Sequence, residues 1–205
     1  MRMGTVRSIR PAREPAHMHE KAMENLRYIR ATMERAGAFT ALPGLGGAAI
    51  GATALGAAWL AARQRTGRAW LAVWLVELVL AVAIGGLATV HKARRSGVPL
   101  WTGAGRKFAL GFLPPLLAGS LLTAPLFASG KLELLAALWL MLYGVGVIAA
   151  GTYSVQIVPA MGACFFALGA VALQAPAGSK DLVLGAGFGG LHLIFGFWIW
   201  RKYGG

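Results

Sequence analysis

Two rhythms of apolar and polar positions divide the chain. From residue 42 onward, apolar runs near the ~20 residues that span a bilayer core alternate with short polar breaks. The runs fall at 42–62, 69–91, 107–127, 132–151, 155–174 and 182–200. The breaks read RQRTGR (63–68), HKARRSGVPLWTGAGRK (91–107), ASGK (128–131), GTYS (151–154) and QAPAGSKD (174–181). In lipid only helices and closed barrels satisfy every backbone N–H and C=O, and runs this long and continuous are helices. The pattern therefore predicts an all-α, polytopic membrane protein with six transmembrane helices over 42–200. The first turn carries Arg63, Arg65 and Arg68. If that hairpin does not cross, four spans remain.

Residues 17–37 have a different period. Ala22, Leu26, Ile29, Met33 and Ala36 recur at spacings of four and three, a narrow seam on an otherwise charged helix. Arg30 and Glu34 add an i,i+4 pair on the polar face. This stretch reads as a cytoplasmic amphipathic helix ending near Gly37. Its seam packs on the membrane domain, pairs with a second copy or lies on lipid; the mixed charge of its polar face weakens the last option. Residues 1–16, with four Arg and two Pro, read as a disordered basic leader. Met18 is an alternative start. No signal-peptide core appears in the first forty residues, so the first apolar run is expected to drive insertion.

Composition agrees with the pattern. Of 205 residues 57% are hydrophobic and 13% charged, about half the roughly 25% charge of a soluble domain. Glycine is abundant, at 29 residues, as expected where membrane helices approach closely. Cys164 stands alone, so an intrachain disulfide and a cysteine metal cluster are excluded.

The net charge of +13 would suggest nucleic acid in a soluble protein. Here the cations flank apolar runs, where they set topology and meet anionic headgroups. The expected partner is a lipid bilayer with anionic headgroups, not nucleic acid. A homo-oligomer through membrane helices or residues 17–37 is also open. With the N-terminus inside, 15 of the 20 Lys and Arg fall on inner segments and 5 on outer loops. The bias places both termini in the cytoplasm, in a bacterial-type inner (plasma) membrane.

Glu77 is the residue that demands a reason. It interrupts LAVWLVELVLAVAIGG about eight residues into its run, ~12 Å deep at 1.5 Å per residue and near the midplane of a ~30 Å core. An ionised carboxylate there costs several kcal/mol, so it must face the bundle, be protonated or have a partner. His192 lies at matching depth in the last run and is the candidate partner. It belongs to a stripe with Gly185, Gly189 and Gly196, a pattern that packs against helices rather than lipid. Tyr143 falls at similar depth, and Ser120 and Thr123 lie in the outer half of the third run. Together these residues form a candidate intramembrane polar site. It is a proton relay or solute site, or a buried hydrogen-bond cluster tying helices together.

Other signals are weaker. Pro114 and Pro115 predict a kink in the third run and leave the carbonyls of Leu110 and Gly111 without their i+4 donors. GAGFGG (185–190) matches a dinucleotide-binding fingerprint, but that motif needs a βαβ unit with an acidic residue about twenty positions on. The glycines are better read as helix-packing surfaces, as are Gly47 and Gly51 in the first run. His17 and His19 are two apart and share no helix face. His91 and His192 differ in depth and do not sandwich one haem iron. No cofactor, metal or catalytic set is expected. Two functions remain: a small transporter or channel whose polar layer handles a proton, ion or small solute, and a membrane-embedded interaction or sensory protein whose N-terminal helix docks a partner or a second copy.

Overall fold

A computed structural model describes residues 20–29, 39–97, 100, 103–176 and 178–204. The described residues are 84% helical, and the chain divides into two units, Met1–Gly37 and Ala38–Gly205. In the first unit residues 20–29 form a helix, α1. It carries Ala22, Leu26 and Ile29 of the expected seam, and Leu26 and Ile29 are exposed. The expected leader, His17, His19, Met33, Ala36 and the Arg30–Glu34 pair lie outside the described residues.

The described residues of the second unit form a bundle of six helices: α2 (Gly44–Ala61), α3 (Gly67–Ser96), α4 (Gly103–Ala128), α5 (Leu132–Gly151), α6 (Ile157–Ala172) and α7 (Lys180–Tyr203). Five of them are long and apolar enough to cross a membrane. The sixth, α6, has 16 residues, or ~24 Å at 1.5 Å per residue, shorter than the expected span over 155–174. Turns take up the difference: Val158 N–H bonds Val155 O before the helix settles, and Gln174 N–H bonds Val171 O beyond it. The first hairpin, by contrast, is built from two helices of spanning length. This is an all-α, multi-pass membrane protein.

Local sequence explains the ends. Thr66 caps α3 by accepting from Ala69 N–H, and Gly97, at φ 64°, closes it in a left-handed turn where a side chain would be strained. Helix α4 runs unbroken through Pro114, Pro115 and Pro125. Within α7, Gly185–Leu191 is a π-helix, a geometry rare outside short bulges and frequent at functional positions. GAGFGG is thus helical, and its glycines do not form a phosphate loop.

Glycines set which helices meet. Helix α2 lies antiparallel to α7: a Cβ on Gly51 would fall 2.7 Å from Gly189 O, and one on Gly196 would fall 2.5 Å from Ala48 N. Gly189 meets Leu55, and Gly185 meets the Ala58 methyl. On the other side, Gly144 and Gly162 bring α5 and α6 into backbone contact, and Gly111 brings α4 against Ala149 and Ala150 of α5. In space α3 packs chiefly on α2, α2 on α7, and α5 on both α6 and α4. Only Trp70, Trp74, Glu77 and Ala93 of α3 are buried; the other residues of that helix are half-buried or exposed.

Candidate functional site

The residues of the expected polar layer do not form one cluster. His192 is 4% exposed and sits beside Tyr143, not Glu77. Its Nδ1 lies 2.9 Å from Phe188 O, and a carbonyl only accepts, so Nδ1 carries the proton. Nε2 of the neutral ring then accepts from the Tyr143 hydroxyl at 2.8 Å. Both ring nitrogens are satisfied. Phe165 and Phe188 enclose the pair, with centroids 5.1 and 6.3 Å from the imidazole, and Phe112 meets Tyr143 edge-on at 5.7 Å. Gly185, Gly189 and Gly196 face α2, whereas His192 lies on the flank of their stripe and turns toward α5 and α6.

Glu77 is equally buried, at 6%, yet its partner comes from α2. The Thr53 hydroxyl donates to Glu77 Oε1 at 2.8 Å. The expected Glu77–His192 pair is therefore not formed. Residue counting sets the two at one depth, but α2 packs against both α3 and α7, and depth alone does not make two helices neighbours. Their nearest link runs through Trp74, one turn before Glu77, whose ring lies 6.3 Å from that of Phe188.

Thr53 has a second acceptor. Its Oγ1 lies 3.0 Å from Ile50 O in its own helix, and a hydroxyl carries one proton. With Glu77 ionised, Thr53 donates to the carboxylate. With Glu77 protonated, the carboxylic acid donates to Thr53 Oγ1, which turns its own proton to Ile50 O. In both protonation states Glu77 Oε1 keeps its hydrogen bond to Thr53 with no backbone movement. Trp74 adds an unspent donor: its Nε1 is buried and has no hydrogen-bond partner among the described residues. It sits at i−3 to Glu77, on the same helix face.

The third-run candidates lie elsewhere. Ser120 is exposed and donates to Leu116 O of its own helix. Thr123 accepts from Trp139 Nε1 at 2.9 Å and donates to Gly119 O. Trp139 in turn stacks on Trp70 at 5.7 Å, and Trp70 Nε1 donates to Asp181 Oδ1 at 2.6 Å. This chain of contacts clamps α3, α4, α5 and α7 at one end of the bundle. At the opposite end Lys92 donates to the carbonyls of Leu42, Tyr203 and Gly204 at 2.8, 3.0 and 2.8 Å.

Sequence reasoning named Glu77, His192 and Tyr143 but not Thr53, Trp74 or Lys92, which the structure sets beside them or at the end of the bundle. Thr53 had a signal: it is the one hydroxyl in 42–62, at a depth matching Glu77. Lys92 looked like one more flanking cation, and nothing in the sequence marks three carbonyls converging on it. No protein family, characterised protein or solved structure matches the chain.

Proposed function

We propose that the chain is a small carrier of the inner (plasma) membrane, with both termini cytoplasmic, in which Glu77 binds and releases a proton coupled to passage of an ion or small solute. The observation that carries this reading is the Thr53 hydroxyl poised between Glu77 Oε1 and Ile50 O. A purely structural carboxyl needs one hydrogen-bonded state, whereas Oε1 keeps its bond to Thr53 in two. The unpartnered Trp74 indole N–H supplies a donor toward the same face for a solute's acceptor atom. His192 and Tyr143, saturated and enclosed by aromatic rings, are posts that hold α5 against α7 rather than members of the proton path. The cytoplasmic placement of the termini is supported by the Lys and Arg bias.

The test is flux in reconstituted vesicles under an imposed pH gradient. Glu77→Gln keeps shape and hydrogen bonding but does not exchange a proton; it is expected to fold and to abolish proton-linked flux. Unchanged flux in that variant overturns the reading.

A second reading is supported by α1, where Met23, Leu26 and Ile29 are exposed: a membrane-embedded interaction protein whose helix docks a partner or second copy. It differs in its sensitivity to change. Glu77→Gln leaves it intact, and Ser at positions 26 and 29 abolishes it.

A further inference from the structure

Outside the polar layer, the end of the bundle that carries Lys107 holds a groove between α4 and α5. It encloses about 430 Å³ and is lined by Lys107, Leu110, Gly111, Ala149, Thr152 and Tyr153. Three features give it a direction along the helices. At the end stand a cation and an aromatic: Lys107 is exposed, makes no ion pair among the described residues, and holds its ammonium 5.5 Å from the Tyr153 ring. Deeper along the helices the lining is apolar, with Leu110 63% exposed beside Ala149. The floor is tight, because Gly111 lets the α4 backbone rest on Ala149 and Ala150; a Cβ there would lie 2.9 Å from the α5 backbone.

Leu110 and Gly111 are also the residues four before Pro114 and Pro115. Proline has no N–H, so these two carbonyls lose their i+4 helical donors in the stretch that lines the groove. The groove thus combines one cation, acceptors lacking helical donors, an interfacial tyrosine and an apolar trough. It sits near the start of α4, a long apolar helix.

We infer that this groove is a binding site for an anionic phospholipid with a hydroxylated headgroup of the phosphatidylglycerol kind. Its phosphate meets Lys107, its headgroup hydroxyls donate toward the acceptors of α4, and an acyl chain lies along Leu110 and Ala149. Charge complementarity selects the occupant. The cation sits at the polar end and the apolar wall points into the bilayer, which matches a phospholipid and does not match a soluble anion. Basic pockets between membrane helices recognise headgroups by this chemistry.

The experiment uses the full chain in mixed vesicles of phosphatidylglycerol and phosphatidylcholine, solubilised gently, with the co-purifying lipid weighed by native mass spectrometry. The wild type is expected to keep phosphatidylglycerol preferentially. Lys107→Gln is expected to weaken that retention about five-fold, the effect of one lysine at a headgroup. Lys107→Arg should keep it. Arg201→Gln, which removes an exposed cation on α7, should also keep it. Equal loss in Lys107→Gln and Arg201→Gln would show general attraction to the annulus and overturn the site. Loss of the lipid to excess inorganic phosphate would assign the groove to a soluble anion and overturn it too.

Discussion

The Tyr143 hydroxyl donates to His192 Nε2 at 2.8 Å, joining α5 to α7 inside a ring of phenylalanines. The bond has no competitor, because Nδ1 is held by Phe188 O. Tyr143→Phe leaves Nε2 buried without a donor, and a buried unsatisfied polar group costs about 1–3 kcal/mol. Thermal unfolding in detergent is expected to show that loss for Tyr143→Phe and a similar one for His192→Phe. The double variant should lose less than both together, since bonded residues couple by 0.5–3 kcal/mol or so. Glu77→Gln combined with His192→Phe shares no hydrogen bond and should add within about 0.5 kcal/mol. Coupling in the second cycle as large as in the first would contradict the division of the polar layer.

How much of this was legible in the sequence depends on which dimension is asked about. Position along the membrane normal follows from counting residues at a fixed rise, so Glu77, Tyr143 and His192 were placed at one depth without a structure. Position within the membrane plane depends on which helices touch, and that is decided by small-residue contacts such as Gly51 with Gly189 and Gly144 with Gly162. A chain with 29 glycines offers many such pairings, and spacing alone does not choose among them. For this reason residue spacing by itself does not distinguish Thr53 from His192 as the partner of Glu77. Lys92 escaped for a related reason: its three acceptors are backbone carbonyls from two distant segments, which no side-chain pattern announces.

Topology is the next expectation. In a background with Cys164→Ser, single cysteines within 63–68, 128–131 and 175–180 should react with an impermeant thiol reagent from outside. Cysteines within 92–106 should not. The expectation rests on the Lys and Arg bias, and external labelling of 92–106 would invert it.

Lys92 gives a sharper test of one end of the bundle. Its ammonium has three donors, and three carbonyls take them: Leu42 before α2, and Tyr203 and Gly204 at the end of α7. A cation at the end of α7 is also favoured by the helix dipole. Lys92→Met keeps the aliphatic stem and removes all three bonds. Since a hydrogen bond to a charged group contributes roughly 1.5–3 kcal/mol when shielded and this site is partly open, a loss of at least about 1 kcal/mol is expected. The end of α7 should fray, so trypsin should cut after Arg201 and Lys202 faster in the variant. Unchanged cleavage would mean that the clasp does not hold the terminus.

The last expectation separates glycines that carry the packing from those that do not. A Cβ on Gly162 would fall 2.7 Å from Gly144 O and 2.7 Å from Ile148 N. Both are backbone atoms of α5, so neither yields as a flexible side chain would. Gly162→Ala must push α5 and α6 apart, and overpacking of this kind costs about 1–3 kcal/mol. Gly86 in α3 is the contrast, since a Cβ there meets nothing within 4 Å. Gly86→Ala removes backbone freedom from the unfolded chain and should be neutral or stabilising by up to about 1 kcal/mol. Both variants add the same methyl to an apolar helix, so composition and insertion are matched and only the contact differs. Unfolding midpoints in detergent should therefore move in opposite directions or, at the least, fall only for Gly162. Equal midpoints for the two would mean that the α5–α6 backbone contact does not form.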